Sequence, residues 1–277
     1  MNQLRTDIVQ NPYRNYSSAQ PMIIVGGMSL ALRKAKSESG DEVIYSLSRT
    51  NITSNAMKKE IGGVTLNSKL IEELLESDKP GTGNKYRSKL VIACIKSVEY
   101  AKENKFRDAI KELVKEFKYK DDPNRSKRES LKHIAMLLSK YDSYKDDSLY
   151  HFFTIVKSEI KNEITDLKNG GAKTFYEGHT YQELALCINI PEDMSYHKTV
   201  HKAKGDEFDN VLLVLKEEKD LDFILNPVLN DITSAGEEQR INYVAVSRAK
   251  NRLFISVPTL AANKEMLLGG NFQVVRV

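Results

Sequence analysis

Residues 210–215 read NVLLVL, and after Asn210 no polar side chain interrupts the run. A strand with one wet face alternates polar and apolar residues. A short unbroken apolar run is instead the pattern of a parallel strand covered on both faces. Such a strand needs helices above and below its sheet, which points the chain toward an α/β fold. Other short runs match it: PMIIV at 21–25, EVIYSL at 42–47, LFISV at 253–257, and FQVVRV at 272–277, the last read as an edge strand after Gly269-Gly270. Residues 29–37 and 54–61 read as helices. Gly40-Asp41 reads as a turn and Gly62-Gly63 as a helix stop. Strand, helix, strand, helix is the rhythm of an open parallel sheet.

The middle of the chain changes period. From residue 67 to about 168 apolar side chains recur at helical spacing, in the series Phe106, Ile110, Leu113, Phe117, then Leu131, Ile134, Leu138, Tyr141, then Phe152, Val156, Ile160, Ile164, Leu167. Breaks at 79–81, 121–123 and 142–147 divide this stretch into about five expected helices, closed by Asn169-Gly170-Gly171. The expected organisation is a sheet domain over 1–66 and 170–277 with an all-helical insertion over 67–169. Residues 182–190 read as a short helix or strand.

Composition excludes several classes. A formal net charge of +4 on 277 residues is too small for a protein that coats DNA, so any nucleic-acid site must be a local basic stripe. Cys94 and Cys187 sit in apolar settings and read as reduced, buried thiols rather than a disulfide or a metal pair. No apolar run reaches membrane-spanning length. The start, MNQLRTDIVQNPYRNY, lacks the apolar core of a signal peptide and reads as the middle of something larger. A cytoplasmic protein with no membrane contact is the expectation.

The chemistry gathers in two stretches. Residues 199–215, TVHKAKGDEFDNVLLVL, place His201, Lys202, Lys204, Gly205 and Glu207 on a loop feeding the buried run. The bases suit phosphate, Gly205 permits positive φ or close backbone approach, and Glu207 can accept from a sugar hydroxyl. Residues 237–249, EEQRINYVAVSRA, read as a helix with acids at its positive end and Arg248 at its close.

These stretches resemble motifs V and VI of superfamily 1 DNA helicases of the UvrD/Rep type, whose usual forms are T-[IVM]-H-x-[AS]-K-G-L-E-F and E-E-R-R-L-x-Y-V-A-x-T-R-A. Thr199, His201, Lys204, Gly205, Glu207 and Phe208 match the first form. Glu237, Glu238, Arg240, Tyr243, Val244, Ala245, Arg248 and Ala249 match the second. Asp206 replaces the usual Leu, Gln239 the first Arg of the pair, and Ser247 the Thr. Residues 48–51, SRTN, are similar to the family's weaker R-T-N signal. A helical subdomain inserted before motif V is also similar to the family layout. The resemblance implies a RecA-like domain, the C-terminal half of an ATP-dependent motor that steps along single-stranded DNA.

It also implies roles. Arg248 is the arginine finger for the γ-phosphate of ATP; the plainer reading is a cation at a helix C-terminus. Glu207 is the ribose contact and Gly205 the turn that lets it approach; the plainer reading is a solvated loop acid. Thr199, His201 and Lys204 touch single-stranded DNA; a lone loop histidine is more often in a local hydrogen bond. Arg240 senses nucleotide or braces the helix, lying eight residues from Arg248 on the same helix side. Tyr243 reads as core.

Other pieces are missing. KPGTGNK at 79–85 lacks the spacing of a phosphate loop and reads as a turn. There is no acidic strand for magnesium, and Asn15-Tyr16-Ser17-Ser18 only looks like the motif that opens this domain in the family. ATP and Mg2+ are the expected cofactors, with the metal's ligands on a separate N-terminal RecA-like half, and no metal site is expected here. That half and single-stranded DNA or a single-strand/duplex junction are the expected partners. The chain alone is expected to be inactive. The alternative is a non-catalytic helicase-like module that binds DNA or regulates a partner such as a nuclease. The bases Lys85, Arg87, Lys89, Lys120, Arg125, Lys127 and Arg128 flank the helices, mostly as solvated faces.

Overall fold

The computed structural model describes residues 19–62, 66–79, 87–116, 122–161, 163–190, 194–228 and 233–277. The N-terminal 18 residues, most of KPGTGNK, Phe117, Lys85 and Lys120 lie outside the described residues, so the readings placed on them are not addressed by it. The chain divides into two compact units, Met1–Val64 with Asp193–Val277, and Thr65–Glu192.

The first unit is built on a parallel sheet. Its strands and helices run β1 (Met22–Val25), α1 (Met28–Glu38), β2 (Tyr45–Ser48) and α2 (Asn51–Lys58) before the second unit, whose helices are numbered α3 to α10. The first unit then resumes with β3 (His197–Thr199), β4 (Phe208–Val214), α11 (Asp222–Leu225), α12 (Ser234–Val246), β5 (Ala249–Val257), α13 (Ala262–Leu268) and β6 (Gln273–Arg276). The strand order is β3-β2-β4-β5-β1-β6, with every pairing parallel. β4 is buried at every position except Asp209, as the NVLLVL run demands. On one face Leu47, Val211, Leu213 and Ile255 pack against Tyr243, Ala245 and Val246 of α12 and Phe223 of α11. On the other, Met22, Ile24, Leu212, Val214 and Phe254 meet Ala31, Leu32 and Ala35 of α1 and Met57 of α2. β6 is an edge strand, as its sequence suggested.

Two boundaries moved for local reasons. β2 begins at Tyr45 rather than Glu42. The Val43 carbonyl and the Glu42 carboxylate instead accept from the Asn210 amide side chain, at 3.3 and 3.0 Å. α2 ends at Lys58, before the glycines expected to stop it. Glu60, at φ +52°, takes the left-handed position, and Ile61 N bonds Ala56 O at 2.9 Å.

The second unit is all helical among its described residues: α3 (Leu70–Ser77), α4 (Arg87–Lys102), α5 (Phe106–Val114), α6 (Pro123–Ser139), α7 (Tyr141–Tyr144), α8 (Leu149–Glu159), α9 (Gly171–Gly178) and α10 (Tyr181–Leu186). Its core is centred on α4, where Leu90, Val91, Cys94, Ile95 and Val98 are buried together with Leu113, Ile134, Leu137 and Phe152. Two expected core positions, Phe106 and Leu131, are 44% and 46% exposed, and Ala109 and Leu137 take the buried face instead. The unit also runs past the boundary expected at 169. Tyr176 of α9 and Tyr181 of α10 are fully buried in its core, so the segment expected to resume the sheet domain packs here.

A buried polar network staples α3, α4 and α9. Arg87 binds both carboxylate oxygens of Asp78, Tyr176 Oη donates to Asp78 Oδ2 at 3.1 Å, and Arg87 Nη1 donates to the carbonyls of Thr165 and Asp166 at 3.1 and 3.0 Å. Arg87 was expected on a solvated basic face; its side chain is instead 5% exposed and paired. Burial and then the Asp78 charge push the Tyr176 hydroxyl far above the usual phenol range. Cys94 is buried and Cys187 half-buried, both as free thiols, and burial pushes Cys187 up to about 11. Removing one partner of a buried pair strands the other's charge. Arg87→Met is therefore expected to destabilise the helical unit by about 3–5 kcal/mol, read as a lowered urea midpoint; an unchanged midpoint would show the network to be unimportant.

Candidate functional site

The loop between β3 and β4 spans residues 200–207. Thr199 closes β3 beside Ser48, at the carboxyl edge of the sheet, while Phe208 opens β4 beside Ala249, at the amino edge. The loop therefore runs the height of the sheet. Its first half is a tight turn. Thr199 O accepts from Lys202 N at 3.0 Å and Ala203 N at 3.2 Å, and Thr199 Oγ1 accepts from Lys202 N at 3.4 Å. Ala203 is fully buried and pins the turn, which leaves His201, Lys202 and Lys204 exposed. The side chains of His201, Lys202 and Lys204 thus face solvent. Thr199 differs: it is 6% exposed and its hydroxyl shapes the turn.

Gly205, at φ +90°, turns the chain toward β4, and Asp206 N reaches back to Ala203 O at 3.2 Å. Glu207 is exposed at the foot of β4, and Phe208 is buried with its ring stacked on Tyr45 at 4.0 Å. The Asp206 carboxylate lies 3.6 Å from Lys198 Nζ, and Glu207 lies 3.6 Å from Lys250 Nζ.

The second stretch arrives at the same place. α12 starts at Ser234, three residues before the expected Glu237, and ends at Val246. Arg248 is thus beyond the helix, in the turn into β5, and does not share a helix face with Arg240. Arg248 N bonds Ala245 O at 3.1 Å, its carbonyl accepts from Phe208 N at 2.8 Å, and its Nη1 donates to Asp206 O at 3.3 Å. The guanidinium's hydrogen bond runs to the neighbouring loop, while the residue itself directly follows the end of α12. Its Nε is buried with no hydrogen-bond partner among the described residues. Gly205, Glu207 and Arg248 therefore meet at the amino edge; Thr199, His201 and Lys204 sit on the turn bonded to the carboxyl edge. Arg240, half-buried, lies on α12.

Three contacts escaped sequence reasoning. Arg49, in the SRTN stretch, binds both oxygens of Glu238 at 2.9 Å, tying the turn after β2 to α12. Gln239 accepts from Val228 N at 2.7 Å and donates to Asn226 O at 3.3 Å, so the residue standing for the usual Arg fastens the chain that precedes α12. The Asp206 carbonyl that holds Arg248 leaves no mark on the sequence at all. Tyr243, 8% exposed, is core as read. Among the described residues no cluster of three or more His, Cys, Asp or Glu side chains is placed to hold a metal, and no helix is long and apolar enough to cross a membrane.

Gly205 has open space around an added Cβ, so a substitution there tests conformation alone. Gly205→Ala is expected to cost about 1–3 kcal/mol through its positive φ, with Gly205→Asn costing less. Equal stability of all three proteins by chemical denaturation would show that the turn does not need this conformation.

The family described as UvrD-like helicase C-terminal domain matches residues 29–259, which takes in both motif stretches and the inserted helices. The all-parallel sheet is the α/β, RecA-like architecture expected of such a domain. No curated protein matches the chain.

Proposed function

We propose a role for this chain from the premise that it belongs to the UvrD-like helicase C-terminal domain family: it is the half of an ATP-driven DNA motor that completes a nucleotide site and carries part of a single-strand track. The observation that carries this reading is the meeting of Glu207 and Arg248 at one edge of the sheet, with Arg248 aimed by the Asp206 carbonyl. A guanidinium stabilises the charge that spreads over a transferring phosphoryl group. Glu207 accepts from the ribose hydroxyls. His201 and Lys204, exposed on the turn, meet DNA phosphates without reading sequence. Thr199 contributes by shaping that turn. Arg240 braces α12.

ATP enters as substrate, with Mg2+ on its phosphates. The metal's ligands and the phosphate loop are assigned, by likeness to the family, to an N-terminal RecA-like half. The partners are that half and single-stranded DNA. The family match lends no support to a nuclease partner.

Phosphate release from magnesium-ATP tests this. The chain alone is expected to give no turnover. Joined to a first RecA-like half it is expected to turn over with stimulation by single-stranded DNA, and Arg248→Ala to lower that rate by about 10³-fold or more. Turnover by the isolated chain would overturn the assignment of roles. DNA binding with no turnover in any pairing would point instead to a non-catalytic module.

A further inference from the structure

The pairing of β4 with β5 is irregular at one point. Phe208 faces Ala249 and Asn210 faces Arg252, so Lys250 and Asn251 together oppose the single residue Asp209. Such bulges are uncommon in parallel pairs; they re-aim side chains and cluster beside functional sites. In an unbroken register Lys250 would stand opposite Asp209 and pair with its carboxylate. The extra residue gives Asp209 to Asn251, whose amide lies 3.4 Å from Asp209 Oδ1, and turns Lys250 to Glu207, 3.6 Å away.

We propose that Lys250 is a positioning residue of the nucleotide site: it holds the Glu207 carboxylate in place for the ribose hydroxyls and so sets a preference for ribonucleotides over 2′-deoxyribonucleotides. This rests on the nucleotide reading above. The pair is solvent-exposed, at 45% and 61%, and contributes little to folding. Its effect is to narrow the arc a loop carboxylate explores before the sugar arrives, so that less freedom is lost on binding.

The test is NMR titration, with ATP and with dATP, of the chain joined to a first RecA-like half, following backbone amides at residues 205–208 and 248–250. Wild type is expected to bind ATP more tightly than dATP. Lys250→Ala is expected to weaken ATP roughly two- to five-fold, the range open to an exposed pair, and to leave dATP nearly unchanged, with Lys250→Arg restoring the ratio. Glu207→Ala is expected to abolish the ratio, and adding Lys250→Ala to it to do nothing more, because the lysine acts through the acid. Equal loss of ATP and dATP in Lys250→Ala, additive with Glu207→Ala, would mean that Lys250 touches phosphate directly and would overturn the proposal. A normal ratio in Lys250→Ala while Glu207→Ala abolishes it would sink the lysine's role and spare the nucleotide reading. Binding of ATP by the joined halves with no shift at residues 205–208 and 248–250 would overturn both the lysine's role and the placing of the ribose at Glu207.

Discussion

Phe208 gives its amide proton to the carbonyl of Arg248, at 2.8 Å, and this bond is where β4 and β5 start to pair. Neither strand can move its foot without breaking it, because both lie in the middle of a sheet covered on both faces. A buried backbone donor left without an acceptor costs more than the bond itself contributes. Arg248, which accepts this bond, and Glu207, next to its donor, inherit that rigidity at the backbone. The backbones of an acid and a cation on two separate loops are thereby held at a spacing set by the ladder.

Around this fixed pair the first unit supplies two softer fastenings. Arg49 clasps Glu238 on α12, and Gln239 ties down the chain that leads into the same helix. Both are exposed or half-exposed and contribute modestly to stability. They set the position of α12 along the sheet, and α12 delivers Arg248. The helical unit is organised differently: its buried Asp78–Arg87 pair fixes which helices meet, at the expense of stripping two charges of water.

The sheet was legible in the sequence where burial was total. NVLLVL and PMIIV became β4 and β1 because nothing but a two-sided cover suits them. It was less legible where the Asn210 side chain took over a backbone task at Val43, and where Glu60 took a left-handed backbone conformation at the end of α2. The helical unit's true extent was hidden because Tyr176 and Tyr181 belong to its core through partners far away in sequence, Asp78 and Glu99. At the site, residue types and order were readable from the two stretches, and their convergence was not. Lys250 shows why: its reach to Glu207 depends on one extra residue in a ladder, which no periodicity displays.

The guanidinium of Arg248 is held by a main-chain oxygen. Every amino acid carries that oxygen, so the grip is indifferent to which side chain occupies position 206. An aspartate there, where the family's usual form has leucine, changes what the loop shows to solvent and leaves the hold on Arg248 intact. A substitution at position 206 therefore changes the charge beside the arginine, and the contact with Lys198, without dismantling the device that points Arg248.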